Sequence, residues 1–274
     1  MKKLLRNFAF TSGLILTVLL VVVALAAPLL ARYDPNVQDT ARRLEPPSKS
    51  HPLGLDDLGR DVLSRVLFGA RVSLRVGFSV VILASLIGIT LGAMAGYFGG
   101  WTDTIIMRVT DILLAFPGIL LAIALVAVLG PSLNNVILAL VIIGWVGYAR
   151  LVRGQVLKVR EMEFVVAARA LGARSPRVIV RHVLPNVINP IIVMATLGLA
   201  GVILSEAALS FLGLGVQPPT PSWGAMLTSG RRYLGLANHL AIFPGAAIML
   251  AVMGLNFLGD GLIDALDPKY RKEL

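Results

Sequence analysis

Six apolar stretches, each near the length that crosses a lipid bilayer, alternate along this chain with shorter polar segments. A hydrocarbon core about 30 Å thick needs roughly 20 apolar residues at about 1.5 Å rise each. Such runs extend from about Phe8 to Leu30, Val72 to Phe98, Thr104 to Leu129, Val136 to Ala149, Ile188 to Leu212 and Leu240 to Leu258. Pro117 predicts a kink in the third, because proline removes one helical hydrogen bond and crowds the preceding turn. The first run follows Lys2, Lys3 and Arg6, and Ala24-Leu25-Ala26 imitates a signal cleavage site. Signal h-regions span only about 7 to 15 residues, so this longer run is read as a retained anchor. The pattern predicts an all-α, polytopic membrane protein with about six transmembrane helices.

Two polar segments carry helical periodicity of their own. In DDLGRDVLSRVLFGA, from Asp56, the residues Leu58, Val62, Leu63, Val66 and Leu67 alternate with Arg60, Asp61 and Arg65. This amphipathic pattern, with Gly69 as a stop, predicts a helix lying at the outer membrane interface, or a solvated helix packed on its own chain. The other segment is EFVVAARALGARSPRVIVRHVLPNV, Glu163 to Val187. Phe164, Ala167, Ala168 and Leu171 stand at i, i+3, i+4 and i+7 and give one apolar face with small residues at its centre. Gly172 suits the left-handed position after a helix end. Ser175-Pro176 then reads as an N-cap followed by the first helical residue, and Pro185 as the stop of a second short helix near Val183. Two short helices joined at a corner and tied to spans four and five could fit a groove on a soluble partner and transmit its motion.

Composition supports the membrane reading. The chain is 57% hydrophobic and only 15% charged, against about a quarter charged in ordinary globular domains. Its formal charge of +10 raises the question of nucleic acid. Arg174, Arg177 and Arg181 could touch phosphates from a helix-turn-helix, yet span five begins a few residues later and leaves little freedom to enter a groove. Cytoplasmic loops of membrane proteins collect Lys and Arg, and six spans place both termini on one side. That side holds 15 basic residues, eight of them from Arg150 to Arg181, against 10 on the other. Both termini and the Glu163–Val187 segment are therefore expected in the cytoplasm. Topology alone would explain the arginines of that segment but not its Ala-Ala, Gly and Pro pattern.

Candidate chemistry is sparse. There are no cysteines, and His51, His182 and His239 are too dispersed for a helical metal pair. No lysine follows a glycine, so the phosphate-cradling G-x-x-x-x-G-K-[ST] loop is missing, and no G-x-S-x-G elbow occurs. No catalytic, cofactor-binding or metal residues are expected. Spans one to four hold almost no acid that could relay protons, which points to an energy source in another protein. Gly88, Gly92 and Gly96, at spacing four, mark a close helix contact within this subunit or with a second one. Glu206, late in span five, is an intramembrane functional candidate, or already at the outer interface.

The Glu163–Val187 segment resembles the cytoplasmic coupling loop of ABC importer permeases: Glu-Ala-Ala, three residues, Gly, nine residues, then Ile-x-Leu-Pro. Ala167, Ala168, Gly172, Leu184 and Pro185 fall on that pattern, with Arg169 inside it; Val166 replaces the usual Glu and His182 the usual Ile. HPLGLDDLGRDVLSRVLFGARVSL, AGYFGGWTDTIIMRVTDILLAFPGILLA, SEAALSFLGLGVQPPTPSWGAML and the tail LGDGLIDALDPKYRKEL are similar to the dipeptide, oligopeptide and nickel group, specifically the second of its two membrane subunits. The resemblance covers almost the whole chain. It implies a type I importer permease in a bacterial cytoplasmic membrane, with an N-terminal anchor and external loop (1–71), a core (72–274) and a coupling loop at about 159–185. It also implies a heterodimer with a homologous permease, two cytoplasmic ATPases that use ATP and Mg, and an external solute-binding protein. Dipeptides lead as cargo, with longer peptides, nickel chelates and glutathione as alternatives. A secondary carrier working alone, or a membrane scaffold, is the competing class.

Overall fold

The computed structural model describes residues 8–266, and the basic residues counted in the two tails lie outside them. The described chain is helical: α1 (Phe8–Leu30), α2 (Val62–Phe98), α3 (Gly100–Leu114), α4 (Gly118–Leu129), α5 (Leu133–Val159), α6 (Glu163–Ala170), α7 (Ser175–Val178), α8 (Leu184–Phe211), α9 (Trp223–Gly230) and α10 (His239–Leu266). Among the described residues the only β pairing is one isolated bridge, Leu55 to Asp61.

At 37 residues α2 is about 55 Å long, more than a bilayer core requires, and it is the centre of the bundle. Its glycines make this possible. A Cβ on Gly88 would lie 2.6 Å from Trp145 O, one on Gly92 3.0 Å from Ala149 Cα, and one on Gly96 2.9 Å from Arg153 O. The stripe therefore presses backbone against backbone within this chain, on α5. The partner numbers rise together along both helices, so α2 and α5 run parallel.

Parallel packing decides the number of crossings. Five helices are long and apolar enough to span, and α3 with α4 forms a pair bent by 86°. The chain leaves α2 at Phe98 and must return to Leu133, which by the same register lies level with the first third of α2. That return covers about 35 Å. The bent pair is thus the third of six crossings, and the kink anticipated at Pro117 is a full break. On the other side of the bundle, Gly13 of α1 meets Leu258 and Gly261 of α10 meets Phe10, an antiparallel contact. Phe8 and Leu266 consequently lie at the same end of the bundle.

The interfacial helix anticipated over Asp56–Gly69 does not exist as a separate element. Its second half is the start of α2, and Gly69 sits inside that helix because the Trp223 ring packs on it, 2.7 Å from where a Cβ would be. Its polar residues are buried rather than solvated, because the segment 31–61 folds over them. Asp56 accepts from Arg60 Nε at 2.7 Å and from the backbone of Leu58 and Arg60. Arg65 reaches back to the carbonyl of Pro35 at 2.8 Å. Asp61 caps α2 through the Ser64 N–H at 2.8 Å and lies 2.9 Å from His51 Nδ1. A periodicity count sees the polar face; it does not see that distant chain covers it.

Candidate functional site

At the end of the bundle shared by Phe8 and Leu266, α5 leads into α6, and α6 turns through Gly172 into α7. Gly172 has φ +79°, its N–H bonds Arg169 O at 2.9 Å, and the Ala173 N–H bonds Ala168 O at 3.1 Å. These two bonds close the last turn around a left-handed residue, the Schellman arrangement. Ala167, Ala168 and Arg169 thus build the last turn of α6, and Gly172 makes the corner. Ser175 and Pro176 occupy the first two positions of α7, one step later than the sequence suggested: Arg174 is the N-cap and no side chain caps the turn.

Pro185 does not end a helix here. Residues Ile179–Val183 widen into a π turn, with the Leu184 N–H reaching Ile179 O, and Leu184 and Pro185 open α8 directly. The reason is local. In a regular helix the Pro185 ring would press on the carbonyl of Arg181, and the wider turn moves that carbonyl aside. The path from α7 to α8 is therefore continuous helix with one loosened turn.

The joint is anchored from below and bare on top. Val165, Val178, Val183 and Val187 pack with Val152, Val156 and Val159 of α5 in one buried cluster. Each such valine contributes about 1.5–3 kcal/mol relative to exposure. Arg160 donates to Gly96 O at 2.8 Å, which ties the corner to the end of α2, and Arg169 donates to Arg160 O at 3.2 Å. By contrast Phe164 is 42% and Leu171 88% exposed, with Ala167 exposed between them and Ala168 half-buried. The apolar face read from the sequence is thus left uncovered by this chain, whereas Val165, one residue off it, is the anchor. The valine spacing at 152, 156 and 159 was a visible signal for this floor. The Arg160–Gly96 link, 64 residues apart, had none.

Beside the joint, α3 packs on α2 and is tied to α5 by charge. Arg153 meets Asp103 through two hydrogen bonds, the second at 2.6 Å, and Arg150 pairs with Asp111. Nothing in the sequence signals these pairs, whose members lie 39 and 50 residues apart. Away from the joint, Glu206 is fully buried between α2 and α8. It accepts from Ser210 at 2.7 Å and from Ser73 at 3.4 Å. It stands apart from the joint, at the far end of α8. In segment 31–61, the exposed Glu45 carboxyl is held below its ordinary range by hydrogen bonding to Arg42.

Two hollows lie along α8. One, of about 320 Å³, is partly open and bordered by α2, α4, α5 and α8; the other, of about 830 Å³, is a more open groove containing Asn186, Asn189 and Pro190. Met194 and Gly198 border both, so the hollows adjoin.

A family model described as "Binding-protein-dependent transport system inner membrane component" matches residues 88–272. Another, "N-terminal TM domain of oligopeptide transport permease C", matches residues 1–47. The dipeptide transport system permease protein DppC of Alkalihalophilus pseudofirmus is 49% identical over 270 residues, covering 98% of this chain and 89% of that protein. The glutathione transport system permease protein GsiD of Pectobacterium atrosepticum is 46% identical over 271 residues, covering 98% and 90%. Among solved structures, a chain of the MetNI methionine ABC transporter in inward facing conformations superposes with a TM-score of 0.61 over 75% of this chain and 97% of that one. At 18% identity that likeness is one of fold.

Proposed function

This chain belongs to the family of binding-protein-dependent transport system inner membrane components, and from that premise we propose that it is the second membrane subunit of an ATP-driven importer of peptides, dipeptides first among them. Nickel chelates, longer peptides and glutathione are the alternatives within the family. One observation carries the coupling role: a bare apolar corner, α6–Gly172–α7, rests on a valine floor and joins α5 through a short turn and α8 through helix. A partner pressing on Phe164 and Leu171 would move two spans together. Val166 leaves the corner without the carboxylate common in such loops, so docking here relies on shape.

The proposed assembly pairs this subunit with a homologous permease, two cytoplasmic ATPases that use ATP and Mg, and an external solute-binding protein. The chain itself binds no cofactor and performs no covalent chemistry. It sits in a bacterial cytoplasmic membrane with the coupling corner and both termini in the cytoplasm, in keeping with the eight basic residues from Arg150 to Arg181. Residues 1–71 serve as anchor and external segment and 72–274 as the transport core.

The test is uptake by the whole complex. Ala167→Glu puts a charge at the centre of the bare face, and Gly172→Pro cannot adopt the left-handed corner, since proline holds φ near −65°. Both are expected to abolish ATP-driven dipeptide uptake while membrane insertion stays near normal. Undiminished transport in both would sink the coupling role.

A further inference from the structure

The partly open hollow of about 320 Å³ is walled by Val80, Ala84, Ile143, Met194, Gly198 and Ser205, and no acidic or basic side chain reaches it. Its lining follows α8 from Met194 to Ser205, about 16 Å of helix, so it is a slot rather than a sphere. Ser205 donates to Gly201 O at 2.8 Å and is satisfied. Tyr148 is different. It is 5% exposed, lines the slot, and its hydroxyl has no hydrogen-bond partner among the protein atoms. Gly198 leaves room for that hydroxyl, since a Cβ there would sit 2.9 Å from it. A buried donor without a partner at apolar depth is costly, and an arriving acceptor removes that cost.

The walls restrict what can arrive. A peptide's charged ends would be stripped of water with no counter-charge and are rejected. An uncharged apolar side chain is accepted, and the neighbouring groove, with Asn186 and Asn189, keeps the peptide's polar parts beside it. Resting on the peptide-importer reading above, we infer that this slot is a side-chain subsite on the translocation path. It takes one apolar side chain of the cargo, and the Tyr148 hydroxyl, covered in this structure, donates to a cargo carbonyl once the arriving side chain spreads the slot.

Gly201 provides the means to test it: it borders the slot, and a Cβ there would meet nothing within 4 Å. Gly201→Leu therefore adds bulk at the border of the slot without straining the backbone. The reconstituted importer, with its partner permease, ATPases and binding protein, is assayed with labelled glycylglycine and glycylphenylalanine at saturating loaded binding protein, so that delivery is equal. Gly201→Leu is expected to slow glycylphenylalanine translocation at least about tenfold and glycylglycine less than about twofold. Tyr148→Phe, which deletes only the hydroxyl, is expected to slow both about fivefold. Equal slowing of both cargoes by Gly201→Leu, or none, overturns the subsite, as does full activity of Tyr148→Phe. Wild type that moves neither dipeptide overturns the dipeptide reading itself.

Discussion

Gly92 shows how much one missing methyl group can specify. A Cβ there would press on the Ala149 backbone, so α2 and α5 approach as closely as they do only because the position is bare. Gly92→Leu is expected to lower the stability of the solubilised protein by about 1–3 kcal/mol, read as a fall in thermal midpoint. Gly154, where a Cβ meets nothing within 4 Å, is the control: Gly154→Ala should hold or raise the midpoint, because the unfolded chain loses freedom. Asp61 is the polar counterpart. It caps α2 through the N–H and hydroxyl of Ser64 and faces His51, all in buried surroundings. Asp61→Ala removes a cap and strands two buried groups, an expected loss of about 2–4 kcal/mol in the same assay. A change within about 0.5 kcal/mol would mean that the segment 31–61 does not secure the start of α2.

Among elements, α3 is the least conventionally held. From Asp103 to Asp111 it advances about 12 Å, while the paired arginines on α5, Arg153 and Arg150, are only about 4.5 Å apart along their axis. The helix therefore crosses α5 steeply, tied to it by these pairs and by Leu113 against the Trp145–Ala149 cluster, before the 86° break into α4. Since α5 also leads into the α6–α7 corner, these pairs tie α3 to the helix that carries the corner. A double-mutant cycle of Asp103→Ala and Arg153→Ala should give a coupling energy of about 1 kcal/mol that shrinks with salt, because the pair is partly solvated. Additive effects would show that the pair contributes nothing to holding α3. The π turn before α8 is similar in kind: a single proline converts what looked like a stop into a loosened but continuous connection.

For the whole molecule the open variable is its orientation in the bilayer, and the native chain, lacking cysteine, suits a labelling test. Ser222 looks accessible from its polarity, but it is fully buried as the N-cap of α9. Exposed Thr220 is the better reporter, paired with exposed Arg174 at the corner. Thr220→Cys is expected to react with an impermeant thiol reagent in intact cells, and Arg174→Cys only after permeabilisation. The reverse pattern would invert the topology.

The sequence alone determined that this is a helical membrane protein of several spans with a jointed basic loop, because apolar run length, glycine at a corner and the spacing of valines and alanines act locally. It also marked Gly88, Gly92 and Gly96 as a contact, since four-residue spacing is a property of one helix. The contact's partner, α5, was decided by the tertiary structure. So were the burial of Asp56, Arg60, Asp61 and Arg65, the depth of Glu206, the Arg153–Asp103 tether and the unpartnered hydroxyl of Tyr148. Each of these depends on residues tens to more than a hundred positions apart. Burial and pairing at that range are properties of the packed chain, because what removes a polar group from water is whichever distant segment happens to lie over it.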